Sequence, residues 1–244
     1  MIIADSFSLK IKERQVLKNL AFSIGKGEAL GISGSMGSGK TSLLYCMKNI
    51  IPLLKKGDVS GRLSVNRSTN GKGLRKDVGI VFQDPNDQIF SRTVYDEVQF
   101  GLKNYGYKGA LLEEKVENAL TRGGLWNRKN DDPFELSHGQ NQKLALASVL
   151  AMGPEILLLD EPTASLDYRT SLEVYGALGA LRESGTTIVV VDHNTDLLLS
   201  LADKFLILDG GRQVAFGDEE VFLKPEVKGA GVKIPWSLTK EKLG

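Results

Sequence analysis

A glycine-rich turn set directly after an apolar run constrains this chain more than any other feature. Leu30–Ser33 reads as a buried strand. Gly34-Ser-Met-Gly-Ser-Gly-Lys40-Thr41 follows it, ahead of the apolar positions Leu43, Leu44 and Met47 of an expected helix. Glycines at 34, 37 and 39 let successive backbone N–H groups converge on one anion, and the positive end of the next helix adds to the same field. The spacing is GxxxxGK[ST], in which the lysine reaches the β- and γ-phosphates and the hydroxyl residue ligates Mg²⁺. Gly34, Ser35, Met36, Gly37, Ser38, Gly39, Lys40 and Thr41 are therefore expected to hold phosphate, against the plainer reading of a glycine-rich turn without a ligand.

The rest of the chain alternates between strand and helix signals. Short apolar runs at Leu30–Ser33, Val78–Phe82, Ile156–Leu159 and Ile188–Val191 look like strands buried on both faces of a mainly parallel sheet. Ile2–Leu9 and Gln15–Ile24 alternate enough to suggest an antiparallel β layer, and Leu208–Val214 reads as a late hairpin. Between Pro85 and Gly153 the strand signal disappears, and Leu111–Arg122 carries helical spacing. The expected organisation is an α/β core from 1–84 and 154–224, a helical subdomain over 85–153 and a tail over 225–244 with no usable periodicity.

Two further segments carry chemistry. Ile156-Leu-Leu-Leu-Asp160-Glu161 is a buried strand ending in two carboxylates, which suits Asp160 to a metal and Glu161 to orienting an attacking water. Alone it is weak, since aliphatics before Asp-Glu end many strands. Leu136-Ser137-His138-Gly139-Gln140 permits an ordinary capping box between Ser137 and Gln140, or a helix N-terminus turned toward an anion.

Taken together these motifs resemble the nucleotide-binding subunits of ATP-binding cassette (ABC) proteins, whose signature usually reads Leu-Ser-Gly-Gly-Gln; His138 replaces the first glycine here. The resemblance extends through almost the whole chain. Gln83 matches the Q-loop glutamine, a metal ligand and relay to the transport partner. Ser165-Leu166-Asp167 matches the D-loop, and His193 matches the switch histidine. It implies an α/β P-loop NTPase fold of RecA-like type: a mainly parallel sheet core, an N-terminal antiparallel β layer and an inserted helical subdomain.

It also implies ATP and Mg²⁺ as cofactors, with Thr41, Gln83 and Asp160 at the metal and Glu161, His193, Lys40 and Gln83 in catalysis. Ser137, Gly139, Gln140 and Asp167 would contact ATP held by a second ABC ATPase subunit, identical or homologous. Ile11 falls where an aromatic usually stacks on adenine, so base recognition is expected to be weaker or to come from a neighbour such as Phe7. Asp192 and Asn194 flank His193 where Thr and Asp are common.

Phe82-Gln83-Asp84-Pro85-Asn86-Asp87-Gln88-Ile89-Phe90 looks like the Q-loop of energy-coupling-factor ATPases, including cobalt and nickel importers, with Asn86 in place of an acid. Thr93–Gly101 fits the same subfamily. In it this region forms a groove for helices of a membrane-embedded scaffold subunit, while a separate membrane subunit captures the vitamin or metal ion. The expected location is thus the cytoplasmic face of the cell membrane, held there by partners.

Composition is consistent with that expectation. With 31 basic against 30 acidic residues among 244, the chain has no overall field to recruit nucleic acid or an anionic membrane. Its one cysteine, Cys46, points to a reducing setting, the start lacks a secretory pattern, and no apolar run approaches the ~20 residues of a membrane span. Other ABC classes fit the chain less well. DNA-repair types separate their half-sites by a coiled coil, but no heptads lie between Lys40 and Ser137; translation-associated types carry two cassettes; a purely regulatory module would not need Lys40, Asp160, Glu161 and His193 together.

Overall fold

The computed structural model describes residues 1–66, 68–69 and 76–240. Its strands and helices, in chain order, are β1 (Ile2–Ile11), β2 (Arg14–Ile24), β3 (Ala29–Gly34), α1 (Lys40–Lys48), α2 (Ile50–Leu53), β4 (Asp58–Val65), β5 (Ser68–Thr69), β6 (Val78–Val81), α3 (Val94–Asn104), α4 (Gly109–Arg122), α5 (His138–Ala151), β7 (Ile156–Asp160), α6 (Tyr168–Glu183), β8 (Thr187–Val191), α7 (Thr195–Leu201), β9 (Lys204–Asp209), β10 (Arg212–Gly217), α8 (Pro225–Gly229) and α9 (Trp236–Lys240).

The strands form one ten-stranded sheet in the order β5-β4-β1-β2-β10-β9-β3-β8-β7-β6. From β9 to β6 neighbours run parallel, whereas β1 pairs antiparallel with β2 and β4, and β9 with β10. A single parallel pair, Arg212 with Lys18, joins the two parts. The α/β fold is the expected one, with the antiparallel layer first and the helices α3–α5 inserted between β6 and β7.

Every residue of β3, β6, β7 and β8 is buried. Successive side chains in a strand point to opposite faces, and the core divides accordingly. Leu157, Leu159, Ile188 and Val190 belong to a cluster with α3–α7, while Ile156, Leu158, Val189 and Val191 join Leu43, Leu44 and Met47 of α1 and the inner face of β1 and β2. The continuous aliphatic runs are thus the mark of a sheet covered on both sides. Packing on two faces fixes the height of the strand ends, and the ends carry the polar residues.

The structure departs from the sequence reading in three places. Phe7 is only 1% exposed and lies in the core with Leu9, Leu17 and Leu20, so it cannot stack on a base. The strand β4, a third member of the antiparallel layer, has no clear strand pattern in the sequence, because a run of three exposed residues, Ser60, Gly61 and Arg62, interrupts the alternation. The tail contains α8 and α9 with Val227, Ala230 and Val232 buried; residues 241–244 lie outside the described part.

Candidate functional site

The loop after β3 is shaped by its glycines. Gly34, Gly37 and Gly39 have φ of 151°, 72° and 99°, values that favour glycine. A Cβ on Gly34 would stand 1.9 Å from the Leu208 carbonyl oxygen, and one on Gly39 would stand 2.6 Å from Leu17 Cδ2. Around Gly37 the space is open. The loop is therefore pressed against β9 and β2 behind and free in front, where Met36 is 94% exposed.

Lys40 opens α1 and is only 6% exposed. Its ammonium donates to the Gly34 and Ser35 carbonyl oxygens at 3.0 and 2.9 Å. Burial holds its pKa down, against the pull of the Glu161 and Asp160 charges. Ser35 donates to Asp209 Oδ1 at 2.5 Å, so the end of β9 also anchors the loop.

Asp160, the last residue of β7, is 3% exposed and accepts a bond from the Thr41 hydroxyl. Burial raises its pKa, with the Glu161 charge adding to the shift; the Thr41 bond and the Lys40 and His193 charges oppose it. Among the described residues Asp160 Oδ1 and Ser38 Oγ are buried without a hydrogen-bond partner. Buried polar atoms rarely stay unpaired, and these two flank the loop where Mg²⁺ and phosphate oxygens would sit. They fit the implied group. No cluster of three or more His, Cys, Asp or Glu among the described residues could cage a metal alone, which suits an ion sharing its shell with phosphate and water.

Glu161 begins the loop after β7 with φ 47° and is held by its own N–H to the Val191 carbonyl at 2.9 Å. Its carboxylate meets two other predicted residues: Gln83 Nε2 donates to Oε2 at 3.1 Å, and His193 Nε2 lies 3.1 Å from Oε1. Lys40, Gln83, Asp160, Glu161 and His193 therefore all stand at the C-terminal ends of β3, β6, β7 and β8, where open α/β sheets bind ligands.

The other predicted residues lie on other elements. Ser137 caps α5 in a full capping box: its N–H donates to Gln140 Oε1 at 2.9 Å, and the Gln140 N–H donates to Ser137 Oγ at 3.3 Å. Arg128 also donates to Gln140 Oε1, at 3.1 Å. Asp167 caps α6 by accepting from the Thr170 N–H and hydroxyl, bonds that hold its pKa down. A Cβ on Gly139 would stand 3.2 Å from Leu166 Cδ2, so these two loops touch within one chain. Ile11 ends β1 and packs at the core edge beside Gly57.

Three residues quoted within the sequence motifs have contacts that the sequence did not show. Gln88 accepts from the Phe82 N–H and reaches the Ala145 carbonyl, tying the Gln83 loop to α5. Buried Glu97 accepts from the N–H groups of Phe90 and Ser91. Asn86 donates through its side chain to Asp84 Oδ1, a bond an acid there could not make.

A sequence profile described as ABC transporter matches residues 17–164. The chain belongs to the ABC transporter family of ATP-binding proteins. It is an ABC ATPase, and ATP is the nucleotide that such cassettes bind. Several Pyrococcus proteins at 35% to 40% identity carry only the general, provisional name of ABC transporter ATP-binding protein. The cassette is 37% identical over 225 residues, 91% of its own length and 78% of the relative's, to the energy-coupling factor transporter ATP-binding protein EcfA2 of Symbiobacterium thermophilum.

Two solved structures share the fold. CbiO1 of Clostridium perfringens, part of the ABC transporter complex CbiONQ, superposes with a TM-score of 0.80 at 32% identity, covering 93% of this chain and 92% of its own. The cassette MJ0796, solved as a dimer in a post-hydrolysis state with ADP and Pi, gives 0.77 at 29% identity, covering 89% and 98%. Among the described residues no helix is long and apolar enough to cross a membrane.

Proposed function

We propose that this ABC ATPase is the motor subunit of an energy-coupling-factor importer of a vitamin or transition-metal ion. It pairs with a second cassette around two ATP molecules at the cytoplasmic face of the membrane. The observation that carries the catalytic part is the meeting of Gln83, Glu161 and His193 beside the Lys40 loop.

Lys40 gives up the Gly34 and Ser35 carbonyls and turns its ammonium to the β- and γ-phosphates, while the backbone of 34–39 donates to their oxygens. Thr41 and Asp160 would hold Mg²⁺, with Gln83 as a further ligand; the ion would neutralise phosphate charge when bound. Glu161 takes the proton side of the attacking water, and His193 clamps the γ-phosphate by a hydrogen bond. Positioning and electrostatics supply most of such a rate enhancement.

Ser137 and Gly139 cover the nucleotide of the partner cassette, and Asp167 links the two sites. The Ser137 hydroxyl keeps its proton to donate, because its role in the cap is as an acceptor. Gln140 shapes that loop. The dimer of MJ0796 supports this pairing by likeness of fold.

The choice of importer class rests on the Gln83–Phe90 loop and its support. Phe90 and Phe100 are 60% and 49% exposed and meet edge-on at 4.8 Å, forming an apolar patch where the Gln83–Phe90 loop meets α3. Glu97 sets the Phe90 backbone from beneath. The EcfA2 and CbiO1 likenesses point the same way.

Affinity purification from detergent-solubilised membranes tests the reading. Recovery of a polytopic scaffold subunit with a small substrate-capture subunit supports it. Recovery of a transporter with a soluble or tethered substrate-binding protein instead assigns the cassette to another ABC class.

A further inference from the structure

We infer that Asp192 is a positioning residue that locks the Glu161 loop to the His193 loop; the inference rests on the catalytic reading above. Asp192 follows the last residue of β8 and is 7% exposed. Its Oδ2 accepts from the Tyr175 hydroxyl of α6 at 2.8 Å and from the Thr163 hydroxyl at 3.1 Å, and its Oδ1 accepts from the Asn194 N–H at 2.8 Å. One carboxylate thus ties three segments: the loop leaving β7, the helix α6 and the turn that carries His193.

The geometry explains why such a tie matters. Glu161 sits at φ 47°, a conformation that costs a non-glycine residue free energy and persists only where its surroundings over-determine it. On one side the Val191 carbonyl fixes the Glu161 N–H. On the other, Thr163 is held two residues downstream by Asp192. Asn194, bonded to the same carboxylate, also caps α7 through the Leu197 N–H at 3.2 Å. His193 therefore lies between two anchored residues, and its ring is aimed at Glu161 Oε1.

A threonine at 192 would be too short to reach Tyr175 and Thr163 from the same backbone position while also accepting from Asn194. The residue acts through Glu161 and His193. It touches neither substrate nor metal in this role, so its loss should appear in turnover and not in nucleotide affinity.

The test uses the full chain with Asp192→Ala, Asp192→Asn, Tyr175→Phe and Glu161→Gln. The readouts are kcat and KM for ATP, the Kd of a fluorescent ATP analogue, the melting temperature and the histidine ring resonances. With only two histidines in the chain, the His193 signals can be separated from those of His138. Asp192→Ala should lower kcat about 10–100-fold, the scale expected for misplacement of a catalytic group, with Kd unchanged. It should also move the His193 resonances in nucleotide-free protein and leave those of His138 in place.

Asp192→Asn should recover most of the turnover, because its amide still accepts from Asn194 and donates to hydroxyl oxygens that can turn to accept. If Asp192→Ala does not fold, Tyr175→Phe carries the test: kcat should fall several-fold with Kd unchanged and the His193 resonances shifted. Wild-type kcat in folded Asp192→Ala or, if that variant does not fold, in Tyr175→Phe overturns the inference, and so does a kcat loss in either that is matched by equal losses in ATP binding and melting temperature. If Glu161→Gln itself keeps full turnover, the catalytic reading fails and not the Asp192 tie alone.

Discussion

Glu161 and His193 leave different strands, yet Glu161 Oε1 and His193 Nε2 lie 3.1 Å apart, with Gln83 on the other carboxylate oxygen. A carboxylate so placed is suited to orient water and take its proton, an effect that contributes about 10²–10⁴-fold. Glu161→Gln should therefore bind ATP as the parent does, lose turnover on that scale and accumulate an ATP-dependent closed pair by size-exclusion chromatography. Unchanged steady-state hydrolysis would remove Glu161 from this role.

The same residue carries a backbone cost. At φ 47° a glutamate is disfavoured by about 1–3 kcal/mol relative to glycine. Glu161→Gly should raise the melting temperature by roughly 2–4 °C, the shift expected per kcal/mol for a chain of this size, while abolishing hydrolysis. A clear drop in melting temperature would mean that the Gln83 and His193 contacts outweigh the backbone term.

Lys40 and Gly34 fail in different ways. Lys40→Ala removes the buried ammonium and its bonds to the Gly34 and Ser35 carbonyls but introduces no clash, so the protein should fold and lose ATP affinity at least about tenfold, or 1.4 kcal/mol, by titration calorimetry. Gly34→Ala sets a Cβ 1.9 Å from the Leu208 carbonyl. It should cost about 3 kcal/mol or more and appear as loss of soluble, folded protein before any question of binding.

Phe90 lies in the loop ahead of α3 and Phe100 on α3, and neither carries a group used in the proposed chemistry. Phe90→Ser should leave basal ATP hydrolysis close to the parent's and abolish co-purification with a membrane subunit. Retention of the membrane partner would place its docking surface elsewhere.

Cys46 lies in the core on α1, and burial pushes its thiol from its ordinary 9.0 up to about 12. The thiolate is the reactive form. An aromatic disulfide reagent at pH 8 should label Cys46 only at the rate of unfolding, and quickly in denaturant. Because the folded-state pKa is the higher one, this group's stabilisation is complete below about pH 9 and declines as pH rises toward about 12.

Residues whose chemistry depends on local spacing were readable from the chain alone. The β3 turn, the paired carboxylates after β7 and the capping sequence before α5 are each a short segment whose form follows from neighbouring residues. The aliphatic strands were legible for the same reason, since burial on both faces leaves no polar interruption. Phe7 was misjudged because a strand's inward face is set by its partners: its registry opposite Leu20 turns it into the core.

The contacts that set the site's shape were harder to see. Thr163, Tyr175 and Asp192 are separated by a loop and a helix, and only packing of α6 against the sheet brings their oxygens together. Glu97 reads as a surface helix residue until the turn at Phe90 folds over it. Asp209 meets Ser35 only because β9 runs beside β3. Such pairs leave no trace in short-range periodicity.

The Ser137 loop is shaped by Gln140 and Arg128 of its own chain. A loop already ordered by its own chain gives up little conformational freedom on association. In the pairing proposed above, most of the entropic penalty of joining two such subunits would fall on rigid-body freedom, and the lifetime of the pair would be set by the nucleotide held between them.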